Sequence, residues 1–152
     1  MVKEGQPAPD FELTSDSGNT VRLSDLRGRP VVLYFYPKDD TPGCTTEACE
    51  FRDAYDVYRE RGAEILGVSP DDVTSHVKFK SKYQLPFTLL ADPEHEVAEQ
   101  YGVWGERSFA GKKFMGINRS TFVIDADGNV ARAMLGIKPA GHADEVLEAL
   151  PT

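Results

Sequence analysis

Val31-Val32-Leu33-Tyr34-Phe35-Tyr36-Pro37-Lys38-Asp39-Asp40-Thr41-Pro42-Gly43-Cys44 is the stretch on which the fold turns. Its first six residues are all apolar, β-branched or aromatic, and Pro30 and Pro37 bound them. A short continuous run of this kind reads as a strand buried on both faces rather than an amphipathic one. The turn-rich stretch Lys38 to Gly43 follows, and then a helical pattern runs from Cys44 to about Arg61. Ala48, Phe51, Tyr55 and Tyr58 recur there at spacings of three and four, and Gly62 ends the pattern. The chain thus goes from buried strand to loop to helix, with a cysteine at the helix start.

Downstream, Ile65-Leu66-Gly67-Val68 is the next strand, stopped by Ser69-Pro70-Asp71. A second helix follows, with Val73, Val77 and Lys80 on one face, and reaches about Tyr83. Leu85 to Leu90 is a short strand interrupted by Pro86. Asp92-Pro93-Glu94 opens a short helix with Asp92 as N-cap and Pro at N1. Val103 to Asn118 is Gly-rich and reads as a long loop or an irregular strand. Ser120 to Asp125 and Val130 to Leu135 flank the turn Ala126-Asp127-Gly128-Asn129 as a hairpin. Ala143, Val146, Leu147 and Leu150 mark a C-terminal helix. Upstream, Phe11 to Leu13 and Val21 to Leu23 form an N-terminal hairpin, and Ser24 caps a single helical turn ended by Gly28. Helices between buried strands imply right-handed crossovers and parallel pairing, while the late hairpin adds antiparallel strands. The expectation is an α/β domain with a mixed central sheet, helices on both faces and an N-terminal β-hairpin extension. That is the layout of a thioredoxin-like fold, which alone decides no function.

Composition narrows the classes. The chain has 152 residues, 40% of them hydrophobic, enough for one domain, residues 1–152, with an ordinary core. Acidic residues outnumber basic ones 25 to 17, for a formal net charge of -8, which argues against a nucleic-acid partner. No apolar run approaches the roughly 20 residues of a membrane helix, and the N-terminal residues carry no secretory h-region. Two cysteines are too few for a disulfide scaffold. A cytoplasmic protein is the expectation, and its two thiols need a chemical reason.

Cys44 has one. A helix N-terminus offers free N–H groups and the positive end of the peptide dipoles, so a thiolate is stabilised there. Asp39, Asp40, Glu47 and Glu50 work against it, and Glu47 lies three residues on, along the same helix face. A cation from elsewhere is wanted. Lys38 reads as solvated. Arg119 opens the buried-looking strand Ser120-Thr121-Phe122-Val123-Ile124, and pairing of that strand with Val31 to Tyr36 would turn Arg119 toward the helix mouth.

Pro37-Lys38-Asp39-Asp40-Thr41-Pro42-Gly43-Cys44 resembles the peroxiredoxin active-site pattern P-x-x-x-T-x-x-C. With Phe35-Tyr36 ahead and Thr45-Thr46-Glu47-Ala48-Cys49 behind, it is similar to the bacterioferritin-comigratory, or Q-type, subgroup. The likeness runs from Gly5-Gln6-Pro7-Ala8-Pro9-Asp10-Phe11 through Asn118-Arg119-Ser120-Thr121-Phe122 to Asp125-Ala126-Asp127-Gly128. The resemblance implies a thiol peroxidase in which Cys44 attacks a hydroperoxide and becomes a sulfenic acid. Thr41 would hydrogen-bond thiolate and peroxide, Arg119 would supply the cation, and Pro37 would shield the sulfenate. It further implies no cofactor, a monomer, and recycling by thioredoxin or another dithiol.

Ionisation alone does not make such an enzyme fast. A thiol of ordinary pKa about 8.5 is about 3% thiolate at neutral pH, so full ionisation gains at most roughly thirtyfold. Aligning the peroxide and stabilising its leaving oxygen must supply the larger share. The resemblance also implies that Cys49 resolves the sulfenic acid by an intramolecular disulfide. In a regular helix, Cα atoms five residues apart lie roughly 8.6 Å from each other, beyond the limit of about 7 Å for a bridge. The helix would have to unwind in each cycle. The alternative is a structural Cys49 and an external resolving thiol. Other classes fit less well. A thioredoxin-type reductase would carry C-x-x-C, and a copper or zinc site would need ligand spacing that His76, His95 and His142 lack; each reads as a surface histidine. A non-catalytic interaction module leaves Thr41, Cys44 and Arg119 unexplained.

Overall fold

The computed structural model describes residues 2–151. The elements are β1 (Glu12–Ser15), β2 (Thr20–Arg22), a 3-10 turn (Leu23–Leu26), β3 (Val31–Phe35), α1 (Pro42–Glu60), β4 (Glu64–Ser69) and α2 (Val73–Tyr83). There follow β5 (Thr88–Ala91), α3 (Glu96–Gln100), β6 (Trp104–Phe109), β7 (Lys112–Ile117), β8 (Ser120–Ile124), β9 (Val130–Met134) and α4 (His142–Ala149). Seven strands form one sheet in the order β2-β1-β5-β4-β3-β8-β9. β3, β4 and β5 run parallel through the crossovers α1 and α2, and β8 joins β3 antiparallel. The N-terminal hairpin extends the sheet through β1, antiparallel to β5.

Every residue of β3 is buried, as a strand covered on both faces requires. Val32, Tyr34 and Tyr36 pack with Ala48, Phe51 and Tyr58 of α1, Phe79 of α2 and Val146 of α4. Val31, Leu33 and Phe35 face the other way, onto Leu23, Val97, Ala98 and Tyr101. The architecture is the expected thioredoxin-like one: a mixed sheet, three helices on one face, α3 and the 3-10 turn on the other.

Several local expectations are corrected. α1 begins at Pro42, two residues before Cys44, because a proline at the first helical position gives up only an N–H that had no partner anyway. Ser24 lies inside its turn, and its N–H donates to Asp10 instead of its side chain capping. α2 buries His76 and Phe79, while Val77 is exposed. α3 starts at Glu96 with left-handed His95 before it; Asp92 still caps from a turn earlier, accepting the N–H of Ala98 at 3.0 Å. Residues 104–117 are a regular two-stranded hairpin closed by Ala110 and Gly111, both at positive φ. His76 and His142 are fully buried rather than surface residues.

Candidate active site

β3 delivers the chain to the site. Its last residue is Phe35, buried Tyr36 follows, and the loop 37–41 carries the backbone over to α1. β8 pairs antiparallel with β3 so that Phe35 faces Ser120, which sets Arg119 beside the end of β3 where that loop begins. The cation sought for Cys44 therefore arrives from the far side of the sequence. Arg119 Nη2 donates to Cys44 Sγ at 3.3 Å, and Nη1 donates to Glu47 Oε1 at 2.8 Å.

Cys44 is the third residue of α1 and is buried. Thr41 is the N-cap, and its carbonyl receives the first helical bond, from Thr45 N–H at 2.8 Å. The amides of Gly43 and Cys44 have no helical carbonyl a turn earlier, so the sulfur sits at the positive end of the helix. Gly43 admits the guanidinium, since a β-carbon there would lie 3.1 Å from Arg119 Nη2.

The sequence placed Glu47 near Cys44 but did not foresee its partner. Burial pushes the Glu47 carboxyl up to about 7, and Arg119 offsets only part of that. Its second oxygen, Oε2, has no hydrogen-bond partner among the described residues. Arg119 is held above its ordinary range: burial opposes its charge, but Cys44 and Glu47 outweigh it. A guanidinium between a sulfur and a carboxylate stays ionised, and it can follow charge from the sulfur to an oxygen bound there.

The Thr41 hydroxyl does not reach Cys44 in this state; it donates to the Lys38 carbonyl at 2.9 Å. Its proton is thereby committed, leaving lone pairs to accept a bond from a substrate O–H. Pro37 is exposed and borders a cavity of about 370 Å³ with Trp104, Phe114 and Met115. Cys49 is half-buried, lies within unbroken α1 and, like Cys44, is a free thiol.

Asp39, Asp71 and His76 bring ligand-type atoms within 4.8 Å of one another. They do not have the spacing of a metal centre. His76 Nδ1 lies 2.7 Å from Asp39 Oδ2, a hydrogen-bond distance, whereas an ion held by both at about 2.0–2.2 Å would push them farther apart.

The AhpC/TSA family matches residues 4–133. The chain is 52% identical over 149 residues to peroxiredoxin Bcp of Bacillus subtilis, covering 98% of this chain and 95% of that one. The bacterioferritin comigratory protein of Xanthomonas campestris, studied for alkyl peroxide reduction, superposes with a TM-score of 0.90 at 38% identity, covering 97% of this chain and 96% of that one. Peroxiredoxin Q of Xylella fastidiosa gives a TM-score of 0.92 at 34% identity, covering 97% and 94%. Identity at this level along nearly the whole chain makes this chain a member of the AhpC/TSA family, a thiol peroxidase of the Bcp and peroxiredoxin Q kind.

Proposed function

We propose that Cys44 is the peroxidatic nucleophile and that the enzyme reduces hydrogen peroxide and organic hydroperoxides. The observation that carries this reading is the contact of Arg119 Nη2 with Cys44 Sγ, 3.3 Å apart at the start of α1. The thiolate attacks one peroxide oxygen, an S–O bond forms as the O–O bond breaks, and the departing oxygen takes a proton to leave as water or alcohol. Thr41 accepts the bond from the peroxide O–H, Arg119 and the free amides stabilise the developing oxyanion, and Pro37 limits access to the sulfenate.

Cys49 then attacks the sulfenic sulfur. An S–S bond forms and water leaves, after unwinding of the first turns of α1. A dithiol reductant, thioredoxin or a similar protein, reduces the disulfide by exchange. Its electrons come from thiols, so the cycle calls on no metal or cofactor. The protein acts as a cytoplasmic, single-domain monomer in antioxidant defence.

Anaerobic thiol titration before and after one equivalent of hydrogen peroxide tests this cycle. Loss of two thiols without a covalent dimer is the expected result, and Cys44→Ser should abolish turnover. Substantial activity in that variant would remove Cys44 from the role. Loss of one thiol only, with a stable sulfenic acid, would assign resolution to an external thiol.

A further inference from the structure

Both aspartates of the loop that leads to Thr41 are held by α2. Asp39 is buried; its Oδ1 accepts the Tyr36 hydroxyl at 2.6 Å, and its Oδ2 accepts Ser75 Oγ at 2.8 Å and faces His76 Nδ1 at 2.7 Å. Asp40 reaches the other end of the helix, accepting Lys82 Nζ at 2.8 Å and the Tyr83 hydroxyl at 2.7 Å. Asp40 is also at φ 58°, a left-handed conformation that a non-glycine residue adopts at some cost and keeps only when its surroundings enforce it. The backbone between them is fixed as well: Asp39 N–H donates to Asp71 Oδ2 at 2.7 Å, and Ser69 Oγ donates to the same oxygen. This loop presents the Lys38 carbonyl on which the Thr41 hydroxyl is oriented.

The centre of the arrangement is His76, which has no solvent exposure. Its Nε2 faces the Leu90 carbonyl at 2.8 Å, and a carbonyl only accepts, so Nε2 carries a proton. Its Nδ1 faces a carboxylate that already accepts from two hydroxyls, which calls for a second proton there. The ring is thus an imidazolium paired with Asp39. The titratable groups facing it are Asp39 and Asp71 from the loops and Tyr36 from the end of β3; β5 offers only the Leu90 carbonyl. Burial by itself would favour loss of the proton, but the hydrogen bond and charge of Asp39 raise its affinity above that of an ordinary histidine.

We propose that α2 is a clamp on the peroxidatic loop, with His76 a positioning residue that acts through Asp39 to hold the Lys38 carbonyl, and hence the Thr41 hydroxyl, where the incoming peroxide needs it. The inference rests on the roles proposed above for Cys44 and Thr41. It assigns a function in the peroxide step to side chains that never touch the sulfur.

The test separates alignment from thiol reactivity. In a Cys49→Ser background, two second-order rates of Cys44 are measured: oxidation by hydrogen peroxide and alkylation by iodoacetamide. Peroxide oxidation depends on Thr41 alignment, whereas alkylation depends on the thiolate alone. His76→Asn is expected to slow oxidation at least tenfold while alkylation stays within twofold. Equal rates of oxidation in the variant and the parent, or equal losses in both reactions, would overturn the clamp. Lys82→Ala releases the other end at an exposed site without disturbing the core, so it remains informative if the histidine variant does not fold. It should slow oxidation severalfold with alkylation unchanged, and no slowing would count against the proposal. Nitrogen-15 NMR of the reduced protein at pH 7 should find both ring nitrogens of His76 protonated; a neutral ring would overturn the ion pair. Cys44→Ser with Cys49 intact, assayed for peroxide turnover with a dithiol reductant, distinguishes the two levels. Turnover surviving there defeats the proposed nucleophile, while an unaffected His76→Asn defeats only the clamp.

Discussion

A side chain at position 43 would compete with Arg119 for the same space, since a β-carbon there lies 3.1 Å from Nη2 and 3.4 Å from the ring of Pro139. Alanine is a better helix former than glycine by roughly 0.5–1 kcal/mol, so Gly43→Ala should leave α1 at least as stable. It should nevertheless displace the guanidinium by a few tenths of an ångström and slow oxidation of Cys44 about tenfold, because small misplacements at a reacting centre carry large rate costs. Stopped-flow oxidation beside a melting curve checks both halves, and an unchanged rate would show that Arg119 recovers its contact. Thr41→Val tests the hydroxyl at nearly constant volume. It should slow oxidation about 100-fold while leaving the melting temperature little changed, since the bond lost is an exposed one to the Lys38 carbonyl. At this scale the sequence was informative about which residues meet and silent about how. That Arg119 meets Cys44 is legible from the pairing of two apolar strands, whereas Thr41, read from the motif as a partner of the thiolate, turns its hydroxyl to the Lys38 carbonyl. That Glu47 turns to Arg119 rather than to the helix N-terminus depends on a side chain 72 positions away, which no local pattern encodes.

α1 is one helix with two differently secured halves. From Glu50 onward it is tied to α4 and the segment before it: Glu50 Oε1 accepts Gly141 N–H at 2.8 Å, Tyr58 donates to the Ala143 carbonyl at 2.7 Å, and Arg61 just past the helix donates to the Leu147 carbonyl at 3.0 Å. Ahead of Glu50 the side-chain hydrogen bonds to the rest of the fold, among the described residues, are those of the site itself, through Arg119. Bridging Cys44 to Cys49 must melt the first half, and the ties to α4 give the melting a natural limit. Hydrogen exchange should therefore rise on oxidation across residues 42–49 and stay low across residues 53–60. Protection lost along all of α1 would mean that α4 is no anchor. Equal protection in both redox states, with the disulfide formed, would contradict the unwinding itself. Elements like α1 and β3 were readable because periodicity and proline bounds agree with tertiary burial. The β6–β7 hairpin was not, since Ala110 occupies a left-handed turn position at φ 52° where glycine or asparagine usually gives the signal. α2 was readable as a helix but not in its facing: His76 takes a core position because Asp39 and Leu90 satisfy both of its nitrogens.

For the molecule as a whole, the pH dependence of stability follows from the groups whose proton affinity folding changes. Asp40 is lowered, first by its bond to Lys82, and Asp10 is lowered because hydrogen bonds from Ser24 outweigh its desolvation. Both add stability above an unfolded value of 3.8 and lose it as the pH falls through their lower folded values. Glu47 goes the other way. Its carboxyl keeps a proton up to about 7 in the fold against 4.5 when unfolded, so its contribution declines as the pH rises through that interval. Buried His142 is lowered, chiefly by desolvation, and so favours the fold increasingly as the pH approaches 6.5 from below. Those two oppose each other until pH 6.5, where His142 falls silent. Above it His76 joins the last of the Glu47 decline, which ends near 7: its folded value exceeds 6.5, so its stabilisation is complete below 6.5 and drains away as the pH climbs through the folded value. The net charge of -8 adds self-repulsion in the same alkaline direction. The urea midpoint of the reduced protein should accordingly fall between pH 6.5 and pH 9. His76→Asn should lower the midpoint at pH 6.5 and flatten the fall. Salt separates the two causes, because a Debye length of about 3 Å at 1 M screens surface repulsion but reaches little of a buried pair. A decline that persists in 1 M sodium chloride and vanishes in His76→Asn belongs to the Asp39–His76 pair; one that salt abolishes in the unsubstituted protein belongs to the surface, and the pair then contributes nothing to the alkaline limb.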